Sequence, residues 1–459
     1  MTRSVISAKY VLGMHDGHQA ILRDHYVYID GTHIEAVTQD APASSDRVLC
    51  YEHGLVTPGF VNLHTHCIRG GLFRGIPDDL ALEPFVPKLV YQVLLPLTSL
   101  ASKVLSAEEL RAVVSLGLLD LLRGGSTTVM DQFHHGQDVF FDVAKELGLR
   151  VVGAPFIMSA SNARLGDDGY PVWDFEHDGL SELQRSIDTF TARDEGRDGL
   201  VQVAIGPHAT DTCLPELLRE CRKVADDLGC VLTTHFAQTE QEVALLRSRY
   251  GKGPAEYARD SGLLGPNVVL AHAGCATDDE LKLLASTGTH VANCAFSFVR
   301  EGVSFPWSRF ARAGINTGIG TDSHGMDIVA EMRITGLLSK QHYGKAHVGT
   351  AHELFHAGTL AGAVALGRPD LGRVQAGAKA DLLVWDLFKP HLQPVWDPIK
   401  NVLWKGHAGD IALTMVHGEV VVEDGRHTKV DEAAIMRMAA TAAAKIWAVA
   451  EERGILPPR

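Results

Sequence analysis

The sequence predicts an α/β chain folded as a (β/α)8 TIM barrel, with a small β-sandwich formed by its N- and C-terminal segments. Three observations predict it. From residue 57 to about 367, short apolar runs alternate eight times with helical periodicity, the rhythm of parallel strands joined by crossover helices. Several of those runs close on a histidine or an aspartate at the same point of the repeat: His64, His66, His235, His272 and Asp322. On either side, over 1–56 and 368–459, the pattern changes to short strands with tight turns.

The opening segment supplies strands at 5–12, 25–29 and 33–37, the last two joined by an Asp30-Gly31 hairpin turn. Strand 1 of the barrel is Pro58 to His66, set by a Pro-Gly turn. The irregular, Gly- and Pro-rich stretch 67–100 reads as a lid or binding loop, since a compact domain rarely carries so long a connection without a function. A helix over 106–123 begins with Ser106 and Glu109 as a capping box. Strand 2 is 126–131 and strand 3 is 151–157, with a helix at 138–147 between them, a polar loop at 160–177 and a helix at 179–191. Strands 4 to 8 follow at 201–208, 231–235, 268–272, 290–293 and 316–322, each with a helical stretch behind it. After a helix near 351–365, strands return at 380–385, 411–416 and 420–425, with His417-Gly418 as a hairpin turn. They are expected to join the N-terminal strands beside the barrel. The Ala-rich amphipathic stretch 431–452 reads as a helix for packing or subunit contact.

Composition narrows the function. The chain has 459 residues, 46% of them apolar and 21% charged, enough for a substantial core. The net charge, 42 basic against 56 acidic residues or −14, argues against nucleic acid or an anionic membrane surface as a partner. Seven cysteines, an odd number without a Cys-x-x-Cys pair, form neither a disulfide framework nor a thiolate zinc site. No signal-peptide core opens the chain and no run approaches transmembrane length, so a cytoplasmic location is expected. Neither Gly-x-Gly-x-x-Gly nor a phosphate-binding Gly-rich loop occurs, which leaves hydrolysis as the natural reaction class.

The chemistry rests on ligand type and position. His64 and His66 are spaced i, i+2, so on a strand both imidazoles project from one face. In a barrel, strand ends converge on one mouth, so these two join His235, His272 and Asp322 there. Imidazoles with a carboxylate suit Zn²⁺ or another borderline divalent ion. Such an ion lowers the pKa of water from ~15.7 toward ~7. Asp322 can then take a proton, and His272 can polarise the electrophile or move protons.

The residues that carry these features also carry a resemblance. Pro58 to His66, Arg74-Gly75 with Asp78-Asp79-Leu80, Gly124 to Thr128, Gly206-Pro207-His208-Ala209, His235, Ala271-His272, Gly320-Thr321-Asp322-Ser323 and Gly377 to Leu382 recur here in the order found in the amidohydrolase superfamily. The chain resembles in particular its branch of guanine, cytosine, S-adenosylhomocysteine and s-triazine aminohydrolases, over nearly its whole length. The resemblance implies one metal, zinc or else iron, held by His64, His66, His235 and Asp322, with His272 acting beside it. It implies a homo-oligomer, dimer or tetramer, acting on a small molecule: an aminohydrolase of a purine, pyrimidine, pterin or triazine type of ring. In that reading activated water attacks the ring carbon, and ammonia or an amine leaves. The alternative keeps the metal and changes the bond to an amide, a urea or a carbon–halogen bond.

Four departures from the family pattern bear on the substrate. The glutamate usual three residues after the strand-5 histidine is Gln238, an amide that cannot shuttle a proton. Either Glu240 or Glu242 substitutes, or the substrate needs no relay and Gln238 binds it. The acidic residue of adenosine-type enzymes falls at Pro84, with Glu83 one place off. Cys275 replaces a frequent histidine, and His324-Gly325 replaces small residues after Asp322-Ser323. Candidate pocket residues are therefore Gln238, His208, His324 and Arg74, with His134 or His135 as either ligand contacts or structural residues. Trp173 and Phe175 are expected to pack in core or lid rather than stack on a ring.

Overall fold

The protein is described by a computed structural model covering residues 4–44, 46–76, 88–133, 137–165 and 171–457. Eight parallel strands surround a central axis: β1 (Phe60–Thr65), β2 (Ser126–Phe133), β3 (Arg150–Ile157), β4 (Val201–Val203, continued by Gly206–Pro207), β5 (Leu232–Phe236), β6 (Val268–His272), β7 (His290–Asn293) and β8 (Thr317–Ile319). Ladders run β1-β2-β3-β4 and β5-β6-β7-β8. Parallel bridges Ile205–Leu232 and Ala209–His235 join β4 to β5, and Thr65–Asp322 joins the end of β8 to β1, so the ring closes. The strands are buried almost throughout, Gln202 of β4 being half-buried, and are rich in Val, Ile, Leu and Ala, as expected where a sheet is covered on both faces. Val61, Leu63, Met130, Val152, Ala204, Val269 and Ala292 fill the interior, so the barrel is packed below its mouth.

The closure explains the glycines of two motifs. A Cβ on Gly59 would lie 2.0 Å from Thr127 Oγ1, and one on Gly320 would lie 2.9 Å from both His64 Cβ and Cys294 Sγ. Strands 1, 2 and 8 can come this close only because nothing projects there.

The terminal strands form one hydrogen-bonded sheet of eight. Ser4–His15 pairs in parallel with Arg47–Pro58 and antiparallel with His18–Asp30, which carries His33–Thr38 at the edge. Leu382–Asp386 joins the other side of Arg47–Pro58, followed by Ile411–Val416, Glu419–Glu423 and Arg426–His427. Arg47–Pro58 then runs through Gly59 into β1, so the sheet and the barrel share a continuous chain. They also share a core, in which Phe60 and Ile319 of the barrel pack with Leu383, Trp385 and Ile411 of the sheet.

Three elements differ from the sequence reading. The polar loop at 160–177 holds a hairpin, Ser161–Leu165 against Pro171–Asp174. The stretch 67–100 contains a helix at Cys67–Leu72 and a wide helical turn, Leu89–Leu94, that runs into helix Leu95–Val104. A short helix, Ala295–Val299, follows β7. Asp78, Asp79, Leu80, Glu83, Pro84, His134 and His135 lie outside the described residues. The capping box is present, with Ser106 Oγ accepting from Glu109 N and Glu109 reaching back to Ser106 N. The last helix, Glu432–Glu452, is by length and composition able to cross a membrane, which corrects the expectation that no run approaches transmembrane length. Its face of Ala439, Ala442, Ala443, Ile446 and Ala450 is buried, and Trp447 Nε1 donates to Leu72 O at 2.8 Å, so it packs on the barrel beside the helix that follows His66.

The sheet is pinned to the barrel by a fully buried ion pair. Arg150 of β3 donates to Asp381 through Nε at 2.8 Å and Nη2 at 3.2 Å, with side-chain exposures of 0% and 3%. Removing one partner leaves the other charge uncompensated. Arg150→Met is expected to destabilise the fold by about 3–5 kcal/mol, read as a lowered denaturant midpoint, whereas Arg150→Met with Asp381→Leu recovers most of the loss.

Candidate active site

Four strand ends bring the predicted residues to one point at the barrel mouth. His64 and His66 end β1, His235 ends β5 and His272 ends β6, with exposures of 1%, 4%, 4% and 2%. Ring centroids lie 4.8 Å apart for His64 and His66, 4.9 Å for His64 and His235, and 5.1 Å for His64 and His272. Asp322, just past β8, places Oδ1 3.6 Å from His66 Nε2. It is held there through the closure. Asp322 N donates to His64 O at 2.9 Å, and Thr65 Oγ1 donates to Asp322 O at 2.9 Å. Buried Asn62 clamps the same junction, giving Nδ2 to Thr321 Oγ1 at 2.7 Å and accepting from Thr321 N at 3.2 Å. Two of the mouth residues are backbone-strained, with φ of +79° at His272 and +54° at Asp322.

Hydrogen bonds settle the tautomers. His66 Nδ1 donates to Gln132 O at 2.5 Å and His235 Nδ1 donates to His208 O at 2.5 Å. A carbonyl can only accept, so each Nδ1 carries the proton and each Nε2 presents a lone pair. Those two Nε2 atoms face each other at 3.3 Å, and His64 Nε2 is buried without a hydrogen-bond partner among the described residues. Burial, first of all, drives His64 and His66 well below the usual histidine range and His235 down to about 3, so the rings are neutral. Burial would raise Asp322, yet the imidazoles around it outweigh that and hold it well below the usual carboxylate range. Three neutral imidazoles within 4.8 Å of one another and an ionised carboxylate beside them repel unless a cation lies among them. The donor set therefore fits a divalent metal ion.

The pocket above these residues is walled by Gln238, His208, His324, Phe298, Leu89 and Arg69, among others. Gln238 is 7% exposed, His208 Nδ1 bonds Thr212 Oγ1 at 2.9 Å, and burial lowers His324 to about 4. Arg74 is placed elsewhere: half exposed, it gives Nε to Gly70 O at 2.8 Å and Nη2 to Asp120 Oδ2 at 3.0 Å, and it does not line the pocket. The helix that begins directly after His66 carries Arg69 to the pocket wall, while Arg74 lies away from it among the described residues.

Neither glutamate near Gln238 reaches the pocket. Glu240 is exposed at a helix start, while Glu242 is buried and accepts from Ala237 N at 2.9 Å and Gln238 N at 2.8 Å. Trp173 is packed, with Nε1 on Asp211 O at 3.0 Å and its ring on Tyr91, and Phe175 lies under Arg249.

The chain is similar to known proteins over most of its length. A family model described as the amidohydrolase family matches residues 55–421. A 5-methylthioadenosine/S-adenosylhomocysteine deaminase of Nitratidesulfovibrio vulgaris is 34% identical over 408 residues, covering 88% of this chain and 87% of that protein. Among solved structures, an adenosine deaminase from Xanthomonas campestris with bound zinc superposes with a TM-score of 0.86 at 26% identity, covering 97% of this chain and 99% of that one. Atrazine chlorohydrolase TrzN from Arthrobacter aurescens, complexed with zinc, gives a TM-score of 0.84 at 26% identity, over 96% of this chain and 100% of that one.

Behind the pocket, Glu331 accepts from Phe296 N at 2.9 Å and so supports the short helix that carries Phe298. Burial raises its pKa to about 8. A carboxyl whose folded pKa exceeds its unfolded value adds stability that is full below about 4.5 and lost as pH rises through about 8. Thermal midpoints should therefore fall between about pH 5 and pH 8 in the parent and level off above, and Glu331→Gln should flatten that fall. An equal slope in both would refute the assignment.

Proposed function

The chain belongs to the amidohydrolase family, and from that premise we propose that it is a metal-dependent aminohydrolase, a deaminase of a nitrogen heterocycle. It is a hydrolase of carbon–nitrogen bonds other than peptide bonds. The observation that carries the reading is the pair of Nε2 lone pairs held 3.3 Å apart by main-chain hydrogen bonds, with Asp322 at 3.6 Å. We assign His64, His66, His235 and Asp322 as the ligands, and zinc as the ion, in keeping with the zinc named for two structural relatives. An ion so held acts as a Lewis acid that brings the pKa of water toward ~7.

The chain's own residues do the rest. Asp322 Oδ1 is engaged by the Ser323 hydroxyl at 2.9 Å, and its other oxygen takes no hydrogen bond from the described residues, which leaves that oxygen to accept a proton from water. His272, buried with Nδ1 unpartnered among the described residues, polarises the ring position under attack. The Gln238 amide binds and orients the heterocycle, and His208 and His324 flank it. Phe298 and Leu89 exclude bulk water from the same space. Water adds at the carbon bearing the amine, the carbon–nitrogen bond breaks with its electron pair on nitrogen, and protons delivered through Asp322 and His272 release ammonia. The deaminase relative supports release of an amine from a purine-type ring, and the chlorohydrolase relative supports a second reading in which chloride leaves. The same proposal makes the enzyme a cytoplasmic homo-oligomer, in keeping with its seven free thiols.

Metal analysis of the purified protein should find about one divalent ion per chain, and the loaded enzyme should release ammonia from an aminated purine, pyrimidine, pterin or triazine. His64→Ala and His235→Ala are expected to lose ion and turnover together, by at least about a thousandfold in kcat/KM. Turnover that survives in metal-free protein, or chloride in place of ammonia, would overturn the mechanism.

A further inference from the structure

Arg69 stands three residues beyond His66 on the helix Cys67–Leu72 and lines the pocket with His235, His272, Asp322 and His324. It is 5% exposed. Among the described residues its side chain makes one hydrogen bond, Nη1 to Ser323 Oγ at a long 3.3 Å, and no ion pair. A guanidinium offers five N–H donors in a planar fork, and a buried one is ordinarily paired with a carboxylate or bonded on several sides. Here Asp322 and Asp131 act on it only through space, and burial brings its pKa down to about 10, so it remains a cation. Ser323 passes the contact on, donating from Oγ to Asp322 Oδ1 at 2.9 Å, so Arg69 sits one hydroxyl away from the reacting centre. A cation facing a pocket built to hold a second cation is unfavourable until an electron-rich atom lies between them.

Resting on the deaminase reading above, we propose that Arg69 is a specificity-determining residue that binds an oxygen carried by the heterocycle itself. The substrate class is then the amino-oxo heterocycles, in which a ring oxo group is conjugated with the carbon bearing the amine. As water adds to that carbon, negative charge spreads to the oxo group, and Arg69 is placed to stabilise it. Elsewhere along the pocket wall, Gln238 supplies an amide that matches the donor and acceptor edge of such a ring. Ser323 fixes the guanidinium at one corner and leaves its remaining donors for the substrate oxygen.

The test compares matched probes that differ in the ring oxygen: isocytosine against 2-aminopyrimidine, and guanine against 2-aminopurine, with 2-aminopyrimidine-4-carboxylate as the anionic arm. Binding is measured by calorimetry and ammonia release by kinetics, on metal-loaded parent, Arg69→Met and Arg69→Lys. The parent should bind each oxo compound at least thirtyfold more tightly than its partner. Arg69→Met should erase that preference through KM, with metal content and thermal midpoint unchanged, and Arg69→Lys should restore part of it. Where Arg69→Met fails to hold metal, Arg69→Lys at matched metal content decides. A parent that binds neither member of a pair, one that prefers the ring without oxygen, one that ranks the carboxylate first, or an Arg69→Met that keeps the preference overturns the assignment. Oxo-selective binding without ammonia release would sink the deaminase reading and leave the Arg69 subsite standing, whereas ammonia from the unsubstituted rings alone would do the reverse.

Discussion

Two ring hydrogen bonds govern what the barrel mouth can do. His66 and His235 each give Nδ1–H to a main-chain carbonyl, of Gln132 and His208, at the ends of neighbouring strands. The carbonyls are fixed by the strand ladders, so the barrel's register sets both the tautomer and the aim of each imidazole. A slip of one residue would carry β1's pair of histidines off the barrel axis toward the surrounding helices and break up the metal-ligand geometry. The chemistry therefore depends on closure, and the closure is reinforced at the point that matters most, where Asn62 and Thr65 bind the end of β8 to β1.

The mouth is costly to fold. His272 and Asp322 adopt left-handed backbone angles, as do Ala237 and Ala273, at about 1–3 kcal/mol each for residues with a side chain. The site also keeps buried polar atoms unpaired, His64 Nε2 and His272 Nδ1 among them. The rest of the molecule offsets this. The strand ladders hold those turns, the terminal sheet shares its core with β1 and β8, and the buried Arg150–Asp381 pair fixes that sheet to β3. A site strained toward function and a scaffold that over-determines its geometry are two sides of the same arrangement.

Much of this was legible in the sequence, because the relevant signals are local. The i, i+2 histidines, the apolar runs that end on His235 and His272, and Gly320-Thr321-Asp322 each state a strand and its end, and the repeat states the barrel. Where periodicity stops, legibility stops. The helix at Cys67–Leu72 is six residues long, too short to show a pattern, so nothing in the string told which of Arg69 and Arg74 faces inward. The hairpin at Ser161–Leu165 reads as polar loop because its strands have little apolar alternation to display. That the N- and C-terminal strands join beside the barrel was expected, as a small β-sandwich, but their order in one hydrogen-bonded sheet is set by contacts between residues more than 300 positions apart, such as Leu382 with Pro58.

The amide at position 238 follows from what surrounds it. Glu242 accepts from the main-chain N–H groups of Ala237 and Gln238 and from the Thr210 hydroxyl, so its carboxylate shapes the turn that presents the Gln238 side chain. Burial raises its pKa, and burial together with the charge of Glu242 raises that of Asp211, so this region already holds two buried carboxyl groups that resist ionisation. A third carboxylate at 238 would add like charge to that pair and to Asp322 across the pocket. An amide keeps the hydrogen bonds and removes the charge. In the proposed mechanism, proton movement then falls to Asp322 and His272, and Gln238 serves to bind the ring. The carboxylate that the family pattern offers for a proton relay at that position is replaced by a neutral amide.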